Sequence, residues 1–140
     1  MILKNATVYN EEFLPVRADL ETEGEWIKTV GSCGGSDDAI DLTGCTIIPG
    51  LIDMHIHGCA GADTGDATPE ALQAMSECLV QRGITSFCPT SMTLSFEELT
   101  KIFANVAAVK DTVAGAYIQG INMEGPYIAM SKKGAQNGAY

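Results

Sequence analysis

The chain has 140 residues with a formal net charge of −10, 46% hydrophobic and 19% charged, enough for one globular core with a small appendage. The acidic balance argues against non-specific nucleic-acid binding and against docking on an anionic membrane, both of which need clustered Lys and Arg. No apolar run reaches the roughly 18 residues of a membrane span, the opening MILKNATVYNEEF lacks the apolar core of a secretion signal, and five cysteines at 33, 45, 59, 78 and 88, with no CxxC pair, predict reduced thiols in a cytoplasmic protein.

Residues 2–9, ILKNATVY, are rich in apolar and β-branched types and predict a strand. A second strand is expected in GEWIKTVG at 24–31, loop chemistry in SCGGSDDA at 32–39, and two short strands around the Thr-Gly turn of IDLTGCTIIPG. After Pro49 the character changes. LIDMHIH at 51–57 is nearly continuous apolar sequence, the pattern of a strand buried on both faces of a parallel sheet. A Gly-rich loop leads to a helix near 69–82, with Thr68 as cap, Pro69 as first residue and Gly83 as stop. ITSFCPT at 84–90 predicts a strand. Ser95 and Glu98 form a capping box for a helix near 95–110, and GAYIQGINMEG at 115–125 predicts a third strand. The alternation from residue 51 predicts βαβ units and a parallel sheet. Domains are therefore expected at 1–48, small and β-rich, and at 49–140, of α/β type.

Residues i and i+2 of a strand share a face, so His55 and His57 point the same way at the C-terminal end of the 51–57 strand, where parallel α/β arrays build their sites. Glu124 ends the third strand just before Gly-Pro. Two imidazoles and a carboxylate suit a divalent ion such as zinc, iron(II) or manganese, and such an ion activates water. The same two histidines also fit a structural role, and Glu124 that of a solvated loop acid. Asp53, by the same period on the face of the histidines, is open to two readings: a partner of an imidazole, or an interior acid bonded to backbone. Cys59 could offer a thiolate near the ion but reads first as a spectator thiol, and Lys132 and Lys133 could attract an anionic substrate group but read first as a solvated basic pair.

PGLIDMHIHG resembles the first barrel strand of the amidohydrolase superfamily. RGITSFCPTSMT, and above all GINMEGPYIAMSKKGAQNGAY, are similar to the N-acetylglucosamine-6-phosphate deacetylases within it, and the likeness runs through the whole chain. The resemblance implies the N-terminal portion of a (β/α)8 TIM barrel, about three strands and two helices, preceded by a small β-sandwich-like layer. It implies metal-dependent hydrolysis of the acetamide of a sugar phosphate, N-acetylglucosamine 6-phosphate, to glucosamine 6-phosphate and acetate. His55, His57 and Glu124 match the family's metal ligands, for one or two ions of Zn, Fe, Mn or Co, in a homo-oligomer. Ala135 and Gln136 match the loop that contacts the sugar, where many relatives carry histidine at the position of Gln136. The later metal histidines, the phosphate-binding arginine and the catalytic aspartate of the family are expected beyond Tyr140, so no catalytic residue is expected within this chain. Two other readings of the residues are a dihydroorotase- or hydantoinase-like amidohydrolase and a non-catalytic fragment that self-associates through open strand edges.

Overall fold

The structure, a computed structural model, describes residues 1–35 and 37–140; Ser36, in the loop expected at 32–39, lies outside the described residues. The chain divides into two compact units, Met1–Pro49 and Gly50–Tyr140.

In the first unit β1 (Ile2–Tyr9), β2 (Pro15–Glu23) and β3 (Trp26–Gly31) form an antiparallel meander, and β4 (Ile40–Asp41) and β5 (Thr46–Ile47) add to β1 in parallel. Ala6, Val8 and Leu20 are its buried apolar residues. β2 was not among the expected strands. Its signal was there: Val16, Ala18 and Leu20 alternate with Arg17, Asp19 and Glu21, the period of a half-buried strand. The β1–β2 register shifts between Leu3 and Ala6, where Asn5 adopts φ +62°. The Asn5 N–H donates to Asp19 Oδ1 at 3.0 Å and its amide to Asp41 Oδ1 at 2.9 Å, so two carboxylates brace the bulge.

The second unit is of α/β type. β6 (Leu51–Ile56) is followed by the hairpin β7 (Gly58–Cys59) and β8 (Ala62–Asp63), a 3₁₀ turn at Thr64–Asp66, α1 (Pro69–Val80), β9 (Ile84–Ser91), α2 (Phe96–Val109), β10 (Tyr117–Ile118), β11 (Asn122–Met123) and a 3₁₀ turn at Met130–Lys132. β9 is the central strand, with β6 on one side and β10 and β11 on the other, all parallel to it. The helices begin as expected. Thr68 Oγ1 accepts the Ala71 N–H at 3.3 Å, and Ser95 and Glu98 close a reciprocal capping box. Leu72, Met75 and Leu79 of α1, Val106 of α2, Phe87, Ala116 and Ile118 make the core. Each large apolar side chain so buried stabilises by roughly 1.5–3 kcal/mol.

Two departures from the expected strands bear on the site. The strand at 51–57 is not covered on both faces: Leu51, Ile52 and Met54 are exposed, and among the described residues β6 pairs with no strand but β9. The third strand, expected as one run, is split. Ile118 pairs with Phe87 and Asn122 with Thr90, so the third strand uses one residue more than β9 between those pairs. The Asn122 side chain donates across β9 to the Met54 carbonyl at 3.2 Å. Gly115, at φ +128°, lets the chain approach α1; a Cβ there would lie 2.7 Å from Ser76 O.

Candidate metal centre

β6 also carries an extra residue. Asp53 pairs with Phe87 and Ile56 with Pro89, so three steps on β6 oppose two on β9. Pro89 has no N–H for the ladder, and prolines inside sheets sit at such bulges. The Ile56 N–H goes instead to Thr90 Oγ1 at 3.0 Å, and that hydroxyl donates to Cys88 O at 3.2 Å. Ile56 packs against the core, so its neighbours His55 and His57 turn to the opposite face of the sheet. The bulge breaks the period that put Asp53 with them. Asp53 is in register with buried Phe87, and its Oδ1 accepts the His55 N–H at 3.0 Å. Of the two readings of Asp53, the backbone-bonded one describes the structure.

His55, His57 and Glu124 converge. Glu124 Oε2 lies 3.0 Å from His55 Nε2 and 3.2 Å from His57 Nε2, and the two Nε2 atoms are 3.3 Å apart. The rings meet edge to face, at 86°, with side-chain exposures of 55%, 32% and 30% that leave the donors open to solvent on one side. His57 Nδ1 lies 3.1 Å from the Thr90 carbonyl. A carbonyl only accepts, so Nδ1 carries a hydrogen and Nε2 is the ring atom left to face a ligand. Nε2 faces a carboxylate oxygen of Glu124, and a proton or a metal cation between the two satisfies both. Tetrahedral zinc with bonds of roughly 2.0–2.1 Å needs donors about 3.3–3.4 Å apart. The observed triangle, 3.0–3.3 Å on a side, fits that donor set.

The other candidates separate from the cluster. Cys59 Sγ faces α1, 3.9 Å from Met75 O; burial, then its hydrogen bond with Cys78, pushes its thiol up to about 11. All five cysteines are free. Lys132 is exposed, whereas Lys133 Nζ donates to Gly134 O and Gln136 O. Ala135 is exposed on the loop. Gln136 is buried, donating to Glu124 and accepting from Thr93. Thr90 and Thr93 were not singled out in the sequence. Both act across more than 30 residues, and no local pattern announces such a contact.

Residues 46–139 match the amidohydrolase family. The N-acetylglucosamine-6-phosphate deacetylase of Vibrio furnissii is 42% identical over 99 residues, covering 70% of this chain and 25% of that protein. The crystal structure of the deacetylase from Pasteurella multocida superposes with a TM-score of 0.88 at 25% identity, over 99% of this chain and 38% of that one. A variant of the deacetylase from Mycobacterium smegmatis, in complex with N-acetyl-D-glucosamine-6-phosphate, gives a TM-score of 0.76 at 27% identity over 92% of this chain and 33% of that one. The chain thus spans 25% of the length of the Vibrio relative.

Proposed function

Because this chain belongs to the amidohydrolase family, we propose that its second unit is the N-terminal portion of a (β/α)8 barrel and contributes His55, His57 and Glu124 to a divalent-metal site. The first unit is then the β-sandwich-like layer that precedes the barrel, with the boundary between Pro49 and Gly50, one residue beyond the expected 48–49. The reaction is deacetylation of N-acetylglucosamine 6-phosphate to glucosamine 6-phosphate and acetate, with Ala135 and Gln136 on the sugar side. Two of the relatives support this substrate: the Vibrio protein by its name and the Mycobacterium structure by its bound sugar phosphate. The observation that carries the metal reading is the meeting of three donor atoms within 3.3 Å of one another, His57 being held in the ligating tautomer by Thr90.

A divalent ion of the zinc, iron, manganese or cobalt class would supply Lewis acidity toward an amide carbonyl and toward water. This chain's own residues hold and orient. The imidazoles offer neutral nitrogen, Glu124 supplies negative charge, and Thr90 keeps the His57 proton on Nδ1. The exposed apolar side chains Leu51, Ile52, Met54 and Tyr117 support association with further copies of the chain.

Equilibrium dialysis of the purified chain against Zn(II) tests the metal reading. Zinc is expected in the wild type and absent from His57→Ala and Glu124→Ala; retention by both variants overturns it. Saturation-transfer NMR on the zinc-loaded chain tests the substrate, with signal expected at the acetamide methyl of N-acetylglucosamine 6-phosphate and none for hydantoin. The reverse selectivity would move the reading to a hydantoinase-like member of the family.

A further inference from the structure

Gln136 is 9% exposed, and both ends of its carboxamide are committed. Its Oε1 accepts the Thr93 N–H at 3.1 Å, and its Nε2 donates to Glu124 Oε1. An N–H only donates and a carboxylate only accepts, so these two partners fix which way the amide faces. The loop backbone is clamped as well. The Gln136 N–H donates to Lys133 O at 2.9 Å, and Lys133 Nζ donates to Gln136 O at 3.1 Å. Thr93, itself 3% exposed, also donates through Oγ1 to the Glu124 carbonyl at 3.5 Å. Gly125 permits that approach: at φ +71°, a Cβ there would stand 2.0 Å from Thr93 Oγ1. Thr93 and Gln136 therefore hold Glu124 by its backbone and by one carboxylate oxygen, and the oxygen left over is the one beside the imidazoles.

We propose that Gln136 is a positioning residue that divides the Glu124 carboxylate, occupying Oε1 so that Oε2 alone is presented to a divalent ion. Glu124 is thereby a one-oxygen ligand with a fixed direction. The proposal rests on the reading of His55, His57 and Glu124 as metal ligands. It adds a function for Gln136 that does not depend on a sugar.

The test is a Co(II) titration of the purified chain followed by visible absorption, with Gln136→Leu, Gln136→His, His57→Ala and Gln73→Leu alongside. Gln73 is the control for the loss of a fold-holding amide, since it ties α1 to both backbone groups of Ala114, at 3.1 and 3.0 Å. Gln136→Leu is expected to weaken Co(II) binding by about 10–100-fold, the usual effect of removing a residue that orients a metal ligand, and to change the cobalt bands. Gln136→His keeps one nitrogen to donate to Glu124 and one to accept from Thr93, and is expected to restore both affinity and spectrum. Gln73→Leu is expected to alter neither. Wild-type affinity and spectrum in Gln136→Leu overturn the proposal, and if His57→Ala has meanwhile lost Co(II), the metal centre itself stands. Undiminished binding by His57→Ala overturns the metal reading and the proposal with it. Should Gln136→Leu fail to fold, the wild-type chain decides by infrared difference spectroscopy on addition of Zn(II), with Glu124→Gln identifying the Glu124 bands. One-oxygen coordination widens the separation of the antisymmetric and symmetric carboxylate stretches. A narrowed, two-oxygen separation overturns the proposal.

Discussion

His57 and Thr90 are joined twice over. The Thr90 carbonyl receives the His57 Nδ1 proton at 3.1 Å, and the Thr90 hydroxyl receives the N–H of the preceding Ile56 at 3.0 Å. One residue of β9 therefore fixes both the path of β6 at its bulge and the tautomer of the ligand that follows.

Thr90→Val keeps the shape and the carbonyl but leaves the part-buried Ile56 N–H without an acceptor. The cost is expected to be about 1–3 kcal/mol, the penalty for an unsatisfied donor. Thr90→Ser, which retains the hydroxyl, is expected near the wild type. Urea denaturation read by far-UV circular dichroism checks both.

A ligand that binds only the folded state stabilises it in proportion to the logarithm of its concentration. Zn(II) at a hundred times its dissociation constant is expected to raise the unfolding free energy by about 2.7 kcal/mol. The increment should vanish in Glu124→Gln, whose amide cannot supply the charge that faces the imidazoles at 3.0 and 3.2 Å. Calorimetric melts with and without zinc make the comparison.

What the sequence disclosed about this site was local. The two-residue spacing of His55 and His57 and the Gly-Pro after Glu124 were visible because strand periodicity and turn chemistry act over a few positions. The same reasoning left Asp53 open between two readings, because it assumed an unbroken period and the bulge between Asp53 and Ile56 breaks it. Thr90, Thr93 and the part Gln136 plays toward Glu124 depend on contacts 12 to 43 residues apart, which chain order does not contain. The fold behaves alike. Both helices showed in their caps, whereas β2, whose alternation carries Arg17, Asp19 and Glu21 on its open face, was not among the expected strands.

Gly115 is expected to be intolerant of a side chain. Gly115→Ala adds a Cβ 2.7 Å from the Ser76 carbonyl oxygen, at φ +128°, a conformation that non-glycine residues rarely adopt. A loss of more than about 1 kcal/mol is expected. Buried Ser76, whose hydroxyl donates to Ala116 O at 2.8 Å, cannot retreat without giving up that bond. Hydrogen exchange at the Ala116 amide, bonded to Ser76 O at 3.1 Å, reports the loosening directly.

The first unit is expected to weaken in acid. The Asn5 N–H, then the Cys33 N–H, hold Asp19 below its usual value of 3.8. The Asn5 side-chain amide, then the Thr43 hydroxyl and N–H, do the same for Asp41. Groups depressed in the folded state stabilise above their unfolded value and lose that contribution as pH falls through the folded one. Stability of the β1–β2 bulge is therefore expected to hold above about pH 4 and to decline below it. The protection factor of the Asn5 amide, its exchange rate taken relative to the intrinsic rate at each pH, is expected to fall in acid in the wild type. Asp19→Asn should flatten the dependence.

The hydrogen bond from Asn122 to the Met54 carbonyl spans two strands that flank β9, at 3.2 Å. Strands in a sheet lie about 4.8 Å apart, so on a flat surface those two backbones would stand roughly 10 Å from each other. The length of the Asn122 side chain bridges that gap, tying the strand that carries His55 to the one that leads into Glu124. The distance between His55 and Glu124 then depends on how firmly the two flanking strands are held against β9, as the gap between two jaws depends on their hinge. The core that seats β9 lies behind it, where Phe87 packs with Leu72 and Met75. A change there would be felt in front as a widening of the donor triangle, although no ligand had been touched.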